Sequence, residues 1–208
     1  MLDRIFNPEN RFWSFLNKIV DAMFLGILWG VACLPVITIG AATTSLYQFT
    51  LKQTDDEEGY AWRSFWRAFR RNFLQATALW LIILLLGAFI AVDLYACMTI
   101  SVPAPLRVVC FALVLALAFV YVLSTFYVFP ILSRFDLPIK KILTNSVVMA
   151  MGNLSVSITI LVVYVIFLVI SWRVLLLFPI LMAIAMFINS YLFRSVFSRY
   201  WNDEEMSE

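Results

Sequence analysis

The sequence predicts an all-α protein, a polytopic helical membrane bundle of about five transmembrane helices. Of its 208 residues, 63% are apolar and 13% are charged, which is about half the charged fraction of a soluble globular domain. Long apolar runs alternate with short basic clusters. The apolar runs of such a chain are expected to lie in an apolar environment, so the predicted partner is the lipid bilayer. The net charge of +2 is too small to indicate a nucleic-acid partner.

The sequence contains no histidine, which excludes imidazole general-base catalysis and histidine-ligated metal sites. The three cysteines, Cys33, Cys97 and Cys110, lack the CxxC spacing of a metal or redox site and are predicted to be small buried residues. No pattern of a nucleophile with its base is visible. We therefore expect no catalytic residue, no metal and no cofactor, and we expect that the protein is not an enzyme.

The whole chain, residues 1–208, is predicted to be a single membrane domain, because each long charge-free run can supply the roughly 20 residues of a bilayer span. The predicted spans are residues 18–35, 73–96, 107–132, 153–171 and 174–194, followed by a cytoplasmic tail at residues 195–208. A single helix through the last two spans would greatly exceed the membrane thickness. The chain is therefore expected to turn near Trp172 and Arg173.

The first apolar run is interrupted by Pro35 and Gly40, so a helix should end before the proline. The following segment, residues 41–53, is too polar to face lipid and is predicted to be a short returning or re-entrant helix packed inside the bundle. Its candidate polar intramembrane cluster consists of Thr38, Thr43, Thr44, Ser45, Tyr47 and Gln48. Such side chains commonly join helices by hydrogen bonds, and in discontinuous transporter helices they line a solute site. Both interpretations stay open.

The distribution of lysine and arginine distinguishes two topologies. If the segment after Pro35 only leaves the membrane, the two sides carry ten and five basic residues. If the chain doubles back there, the split becomes thirteen and two, with Arg107 and Arg173 outside. The positive-inside rule favours the second arrangement, which puts the amino terminus in the cytoplasm. Both arrangements put the carboxyl terminus in the cytoplasm.

Residues 60–71 show the clearest amphipathic pattern. Aromatic side chains recur at i, i+3, i+4 and i+7, while arginines occupy the rest of the helix surface. The aromatic positions are Trp62, Phe65, Trp66 and Phe69, and the basic positions are Arg63, Arg67, Arg70 and Arg71. This pattern predicts an interfacial helix with its rings at the acyl boundary and its guanidinium groups among anionic headgroups. The alternative is a docking surface for a cytoplasmic partner.

Two segments resemble a known family. The run from Cys33 to Tyr47 reads CLPVITIGAATTSLY, and the run from Trp66 to Gln75 reads WRAFRRNFLQ. Together with the spacing of the other apolar runs, they resemble the YesL-like family of bacterial membrane proteins. This resemblance implies a small multi-pass protein of the bacterial cytoplasmic membrane, often encoded near carbohydrate uptake systems. The family's activity is undefined, so the resemblance supplies no catalytic residue.

Two functions are consistent with these features. The first is a non-enzymatic accessory or scaffold protein that contacts a carbohydrate transporter subunit, an association implied by the resemblance. The alternative is a small-solute transporter or channel with a polar path near Thr38 to Gln48. A polar cavity ending at Thr43 or Tyr47 would favour transport, whereas a tightly packed bundle would favour a scaffold. The oligomeric state leaves no signal in the sequence.

Overall fold

The computed structural model describes residues 11–55, 60–99 and 103–200, and its regular structure within these ranges is entirely helical. Seven α-helices and two short 3₁₀ turns follow one another along the described chain. They are α1 (Arg11–Ala32), a turn at Val36–Thr38, α2 (Ile39–Thr54), α3 (Ala61–Thr99), α4 (Ala104–Arg134), α5 (Ile139–Gly152), α6 (Leu154–Arg173), a turn at Leu175–Leu177, and α7 (Phe178–Tyr200). The predicted all-α class is confirmed.

Four of these helices, α3, α4, α6 and α7, are long and apolar enough to cross a membrane. The chain is therefore a multi-pass helical membrane protein, with a span count near the predicted five. Within the described residues, α1 is not among the four. Lys18 and Asp21 lie in its first half, and the uncharged part that remains, residues 22–32, is about 16 Å long as a helix. That length reaches about halfway across the hydrocarbon core.

The interfacial segment and the second predicted span form one continuous helix in the structure. Helix α3 runs for 39 residues, whereas the sequence pattern divides this region near Asn72. No proline or glycine lies between Ala61 and Leu86, so nothing in the backbone ends the helix where its surface changes from basic to apolar. The amphipathic turns therefore extend the axis of a membrane span.

Helix α5 is a separate element that the span prediction did not include. It begins after Pro138 and ends at Gly152, and α6 begins two residues later at Leu154. Proline before a first turn and glycine at a last turn are ordinary helix boundaries. Because α5 ends at Gly152, the charge-free run that continues to Trp172 is divided between two helices.

Helices α1 and α2 form a hairpin whose bend contains Pro35. At the open end, Lys18 Nζ donates to the Gln53 backbone oxygen at 2.8 Å. The start of α1 therefore lies beside the end of α2, and α2 returns along α1. At the bend, Trp80 of α3 donates to the Val36 backbone oxygen at 2.9 Å, which fixes the tip of the hairpin against a membrane span.

Helix α2 is the buried centre of the bundle. It contacts α1, α3, α4 and α7, and all of its residues except Ile39, Gln48 and Lys52 are buried. Close approach requires glycine at its start, since a Cβ at Gly40 would lie 2.5 Å from the Ala76 backbone oxygen. The polar residues of α2 therefore face protein, because larger helices surround it.

Small residues also bring α1 and α7 together. A Cβ at Gly26 would lie 2.9 Å from the Cβ of Ala183, and one at Gly30 would lie 2.8 Å from the Cβ of Pro179. The spacing of the two glycines is the GxxxG pattern of closely packed membrane helices. This contact holds the α1–α2 hairpin against the last span.

Candidate functional site

The candidate polar cluster begins at the bend of the hairpin. Thr38 Oγ1 donates toward the backbone oxygens of Ala32, at 2.5 Å, and Pro35, at 2.6 Å. In α2, Thr44 donates to the Gly40 oxygen at 2.9 Å. These hydroxyls satisfy backbone carbonyls within their own hairpin. Their hydroxyl protons are therefore already used within the protein.

Other hydroxyls of α2 join it to neighbouring helices. Each pair below consists of buried side chains on different helices. The pairs are Trp29 with Thr43 at 3.2 Å, Thr50 with Ser190 at 2.7 Å, and Tyr47 with Tyr164. Interhelical hydrogen bonds of this kind stabilise membrane bundles by about 0.6 kcal/mol each. They connect α2 to α1, α6 and α7.

The two remaining members of the cluster occupy different environments. Ser45 is fully buried, and its hydroxyl donates to the Ala41 oxygen at 2.7 Å. Gln48 is half-buried and lies near Asn72 of α3, with 3.4 Å between Oε1 and Nδ2. Gln48 also lines a polar cavity at the end of the bundle that contains Asp55. The structure thus distributes the six residues along the bend and α2; it does not gather them around one opening.

A second cavity, with a volume of about 490 Å³, reaches Thr43 and Tyr47 from the side of the bundle. Its walls are mainly the apolar side chains of α3, α4, α6 and α7. The deepest of them include Phe129 and Met186, which are 6% and 5% exposed. A cavity therefore does touch the candidate cluster, but its surface is apolar.

The amphipathic turns of α3 have two unlike sides. Trp62 is 51% exposed, and a surface groove of about 580 Å³ runs past Trp62, Arg63, Trp66 and Arg67. Phe65 is fully buried and belongs to the protein core. The sequence pattern assigned all four rings to the lipid boundary, whereas the structure uses Phe65 for packing, because the end of α2 lies against this part of α3.

The remaining members of this segment continue the same division. Phe69 is half-buried and packs against the core, while Arg70 is exposed and lines the groove. Arg71 is exposed and pairs with Asp136 in the connection between α4 and α5. The basic side chains thus face outward. Phe65 and Phe69 lie beneath them against the protein core, so the interfacial position of this segment stays a prediction.

A partly buried ion-pair cluster joins three helices. Asp55 accepts from Arg134 Nη1 at 2.7 Å and lies 2.9 Å from Arg194 Nε. Arg194 also donates to the Thr54 backbone oxygen at 2.6 Å. These contacts join the ends of α2 and α4 to the second half of α7. This cluster could not be found from the sequence, because its members are far apart in the chain and no local pattern connects them.

The same contacts assign the basic residues to ends of the bundle. Lys18, Arg71, Arg134 and Arg194 lie at the end marked by Asp55. Arg173 closes α6 at the opposite end, since α6 begins beside the last turn of α7, where Asn153 accepts from Arg199 at 3.2 Å. Among the described residues, Lys18 of α1 therefore lies at the same end as Arg71, Arg134 and Arg194, as a chain that doubles back after Pro35 requires. Which side faces the cytoplasm remains a prediction.

Among the described residues, no group of three or more histidine, cysteine or acidic side chains is placed to hold a metal ion. Cys33, Cys97 and Cys110 are free thiols, each partly buried in a helix or at its end. Asp93 and Asp21 are also partly buried and lie on different helices. These residues are not gathered into a common site.

The fold and the candidate site define a class: a multi-pass helical membrane protein with an internal returning helix. Residues 22–94 match the family described as "Protein of unknown function, DUF624". Over 158 residues the chain is 23% identical to the uncharacterized protein YesL of Bacillus subtilis (strain 168), covering 76% of this chain and 73% of YesL. The predicted resemblance to a YesL-like family of unknown function is confirmed. No solved structure matches the chain.

Proposed function

We propose that this protein is a non-enzymatic accessory or scaffold protein of the membrane. One observation carries the proposal: the hydroxyls of Thr43, Thr44, Ser45 and Tyr47 are all hydrogen-bonded within the bundle. A solute path needs polar groups that can exchange partners with a passing molecule. A scaffold needs its polar groups to be satisfied within the bundle: Thr43 and Tyr47 join α2 to neighbouring helices, and Thr44 and Ser45 bond to carbonyls of α2 itself.

The chemistry of the side cavity supports a scaffold over a path for a hydrophilic solute. A sugar carries many hydroxyls, and burying each without a hydrogen bond costs on the order of 1–3 kcal/mol. The cavity presents few polar groups, and its hydroxyls at Thr43, Tyr47, Thr125 and Tyr164 already have partners. A small-solute transporter therefore remains the second candidate, without a polar path to support it.

The partner that we propose is a membrane subunit of a carbohydrate uptake system, and the support is the family resemblance. The Trp62 groove gives this partner a surface to contact, because Arg63 and Arg67 are exposed beside aromatic rings. Arginine and tryptophan are the residue types that most often dominate protein interfaces. The cytoplasmic membrane, with the Asp55 end of the bundle inside, is the location that we propose.

The proposal is tested by chemical cross-linking in native membranes, followed by affinity purification and mass spectrometry. We expect reproducible enrichment of transport subunits, and we expect at least a threefold loss of that enrichment in the Arg63→Glu, Arg67→Glu variant. Arg173→Glu, an exposed arginine at the opposite end of the bundle, is the matched control.

Two outcomes would overturn the proposal. The first is a protein that cross-links to no membrane protein above the level of an unrelated control. The second is solute uptake into proteoliposomes that contain this chain alone. Either result would favour transport by the chain itself over an accessory role.

A further inference from the structure

The side cavity next to α2 is built for an apolar guest. It lies between segments of four membrane-spanning helices, and its wall includes Trp80, Phe126, Phe129, Leu161 and Met182. No charged side chain contributes to its lining. A volume of about 490 Å³ is within the range of protein ligand sites. The cavity therefore has the size of a ligand pocket and a mainly apolar lining.

The polar side chains in this wall already have hydrogen-bond partners within the protein. Thr43 accepts from Trp29, and Thr125 donates to the Tyr121 backbone oxygen at 2.9 Å. Tyr47 and Tyr164 share a hydrogen bond with each other. A ligand that carries hydrogen-bonding groups would lose its own hydration here without compensation. A hydrocarbon chain has no hydrogen-bonding groups and therefore avoids this cost.

The cavity opens toward lipid and closes toward the protein centre. On α6, Val165 and Leu168 at its rim are 48% and 53% exposed, whereas Tyr47 at its inner end is 2% exposed. These rim residues are exposed apolar side chains of a helix that is long and apolar enough to span the membrane, a position in which such side chains contact lipid. Acyl chains of the surrounding bilayer are therefore the apolar molecules with direct access to it.

We propose that this cavity holds the acyl chain of a membrane phospholipid, which enters sideways between α4 and α6. The acyl chain fills a space whose lining side chains would otherwise lack dispersion contacts on one side. The bound lipid supports the contact of α2 with α6 through Tyr47 and Tyr164. This inference does not require the accessory role, because a transporter could hold a structural lipid in the same way.

The test uses the purified full chain in nanodiscs of phosphatidylethanolamine and phosphatidylglycerol, doped with a phospholipid that carries a diazirine in the middle of one acyl chain. After illumination, peptides are mapped by mass spectrometry. Cross-links at Met182 and Met186 report the cavity. Cross-links at Leu85 and Phe89, which are 71% and 64% exposed on α3, report ordinary lipid contact and normalise the yield.

Two valines of α6 provide a matched pair of variants. Val162 and Val165 are both 48% exposed, and of the two Val165 lines the cavity. We expect Val165→Trp to reduce the cross-linking at Met182 and Met186 at least fivefold relative to the α3 sites, and Val162→Trp to leave it unchanged. Should Val165→Trp fail to give a monodisperse protein, Val165→Phe serves the same purpose.

Three results would overturn the inference. Wild-type protein labelled at Leu85 and Phe89 but not at Met182 or Met186 would show that no acyl chain enters. Equal effects of the tryptophan variants at positions 162 and 165 would show that labelling does not depend on the cavity. A photoreactive amino acid at Val165 that cross-links to another protein in native membranes would assign the cavity to a partner helix.

Discussion

Arg134 Nη1 lies 2.7 Å from Asp55 Oδ2, and this contact joins the end of α4 to the end of α2 across 79 residues of sequence. The side chains of Arg134 and Asp55 are 25% and 22% exposed, so both groups are substantially removed from water. Arg194 lies against the other carboxylate oxygen. The Asp55 carboxylate therefore forms ion pairs with two arginines on two different helices.

Replacing Asp55 with asparagine should destabilise the bundle, because it leaves two arginines beside a neutral amide. Removing one partner of a buried ion pair costs several kcal/mol. Partial exposure reduces this, so we expect about 1–2 kcal/mol, measured as a lower midpoint of thermal unfolding in detergent. Asp136→Asn, which breaks the exposed pair with Arg71, is the control and should change the midpoint little. Equal effects of both variants would contradict this interpretation.

The tyrosine pair at the centre of the bundle can be measured by a double-mutant cycle. Tyr164→Phe leaves the buried Tyr47 hydroxyl without its partner, and Tyr47→Phe does the same to Tyr164. Each should cost about 0.6–1.7 kcal/mol, and the double variant should cost less than the sum of the two. Tyr95→Phe, at a position that is 70% exposed, should be neutral. Strictly additive losses would show that the two hydroxyls do not interact.

The glycine contact between α1 and α7 predicts a steric effect. Gly26→Leu places a side chain where a Cβ alone would lie 2.9 Å from both the Ala183 Cβ and the Pro179 backbone oxygen. Overpacking of this kind typically costs about 1–3 kcal/mol. It should loosen the hairpin and speed proteolysis of α1 in the detergent-solubilised protein. Ala88→Leu, on an exposed surface of α3, is the control and should be cleaved at the wild-type rate.

The amphipathic turns of α3 predict an asymmetry between rings and cations. Aspartate at Trp62 and Trp66 should weaken membrane association and stability more than aspartate at Arg63 and Arg67. The rings lose apolar contact with the acyl boundary, whereas the arginines face the headgroups. Carbonate extraction and unfolding in detergent measure the two effects. A larger loss from the arginine pair would favour a docking surface over interfacial seating.

Much of the fold could be predicted from local sequence, because membrane spans are long apolar runs and their ends carry strong signals. Pro35 and Gly40 locate the bend of the hairpin, and the polarity of the segment that follows predicts a helix enclosed by protein. The apolar face at Phe65 was misassigned, because periodicity identifies a face but not what covers it. Helix α5, which ends at Gly152, was not among the predicted spans.

The contacts that organise the site could not be predicted in the same way. In the sequence, Asp55 is only the first residue of the acidic run DDEE, and its pairing with Arg134 and Arg194 depends on how three helices meet. The side cavity is likewise formed by residues of α2, α3, α4, α6 and α7. Long-range juxtapositions of this kind leave no trace in the composition or periodicity of any one segment.

Helices α1 and α2 form a returning hairpin, so we expect the starts of α1 and α3 to lie on the same side of the membrane, which we propose is the cytoplasmic side. Single cysteines test it, placed at Asn17, Tyr60, Pro103 or Trp172, all exposed positions, after Cys33, Cys97 and Cys110 are replaced by alanine. We predict that a membrane-impermeant maleimide labels intact cells at positions 103 and 172, and labels positions 17 and 60 after permeabilisation. Labelling of intact cells at position 17 but not at position 60 would contradict the hairpin.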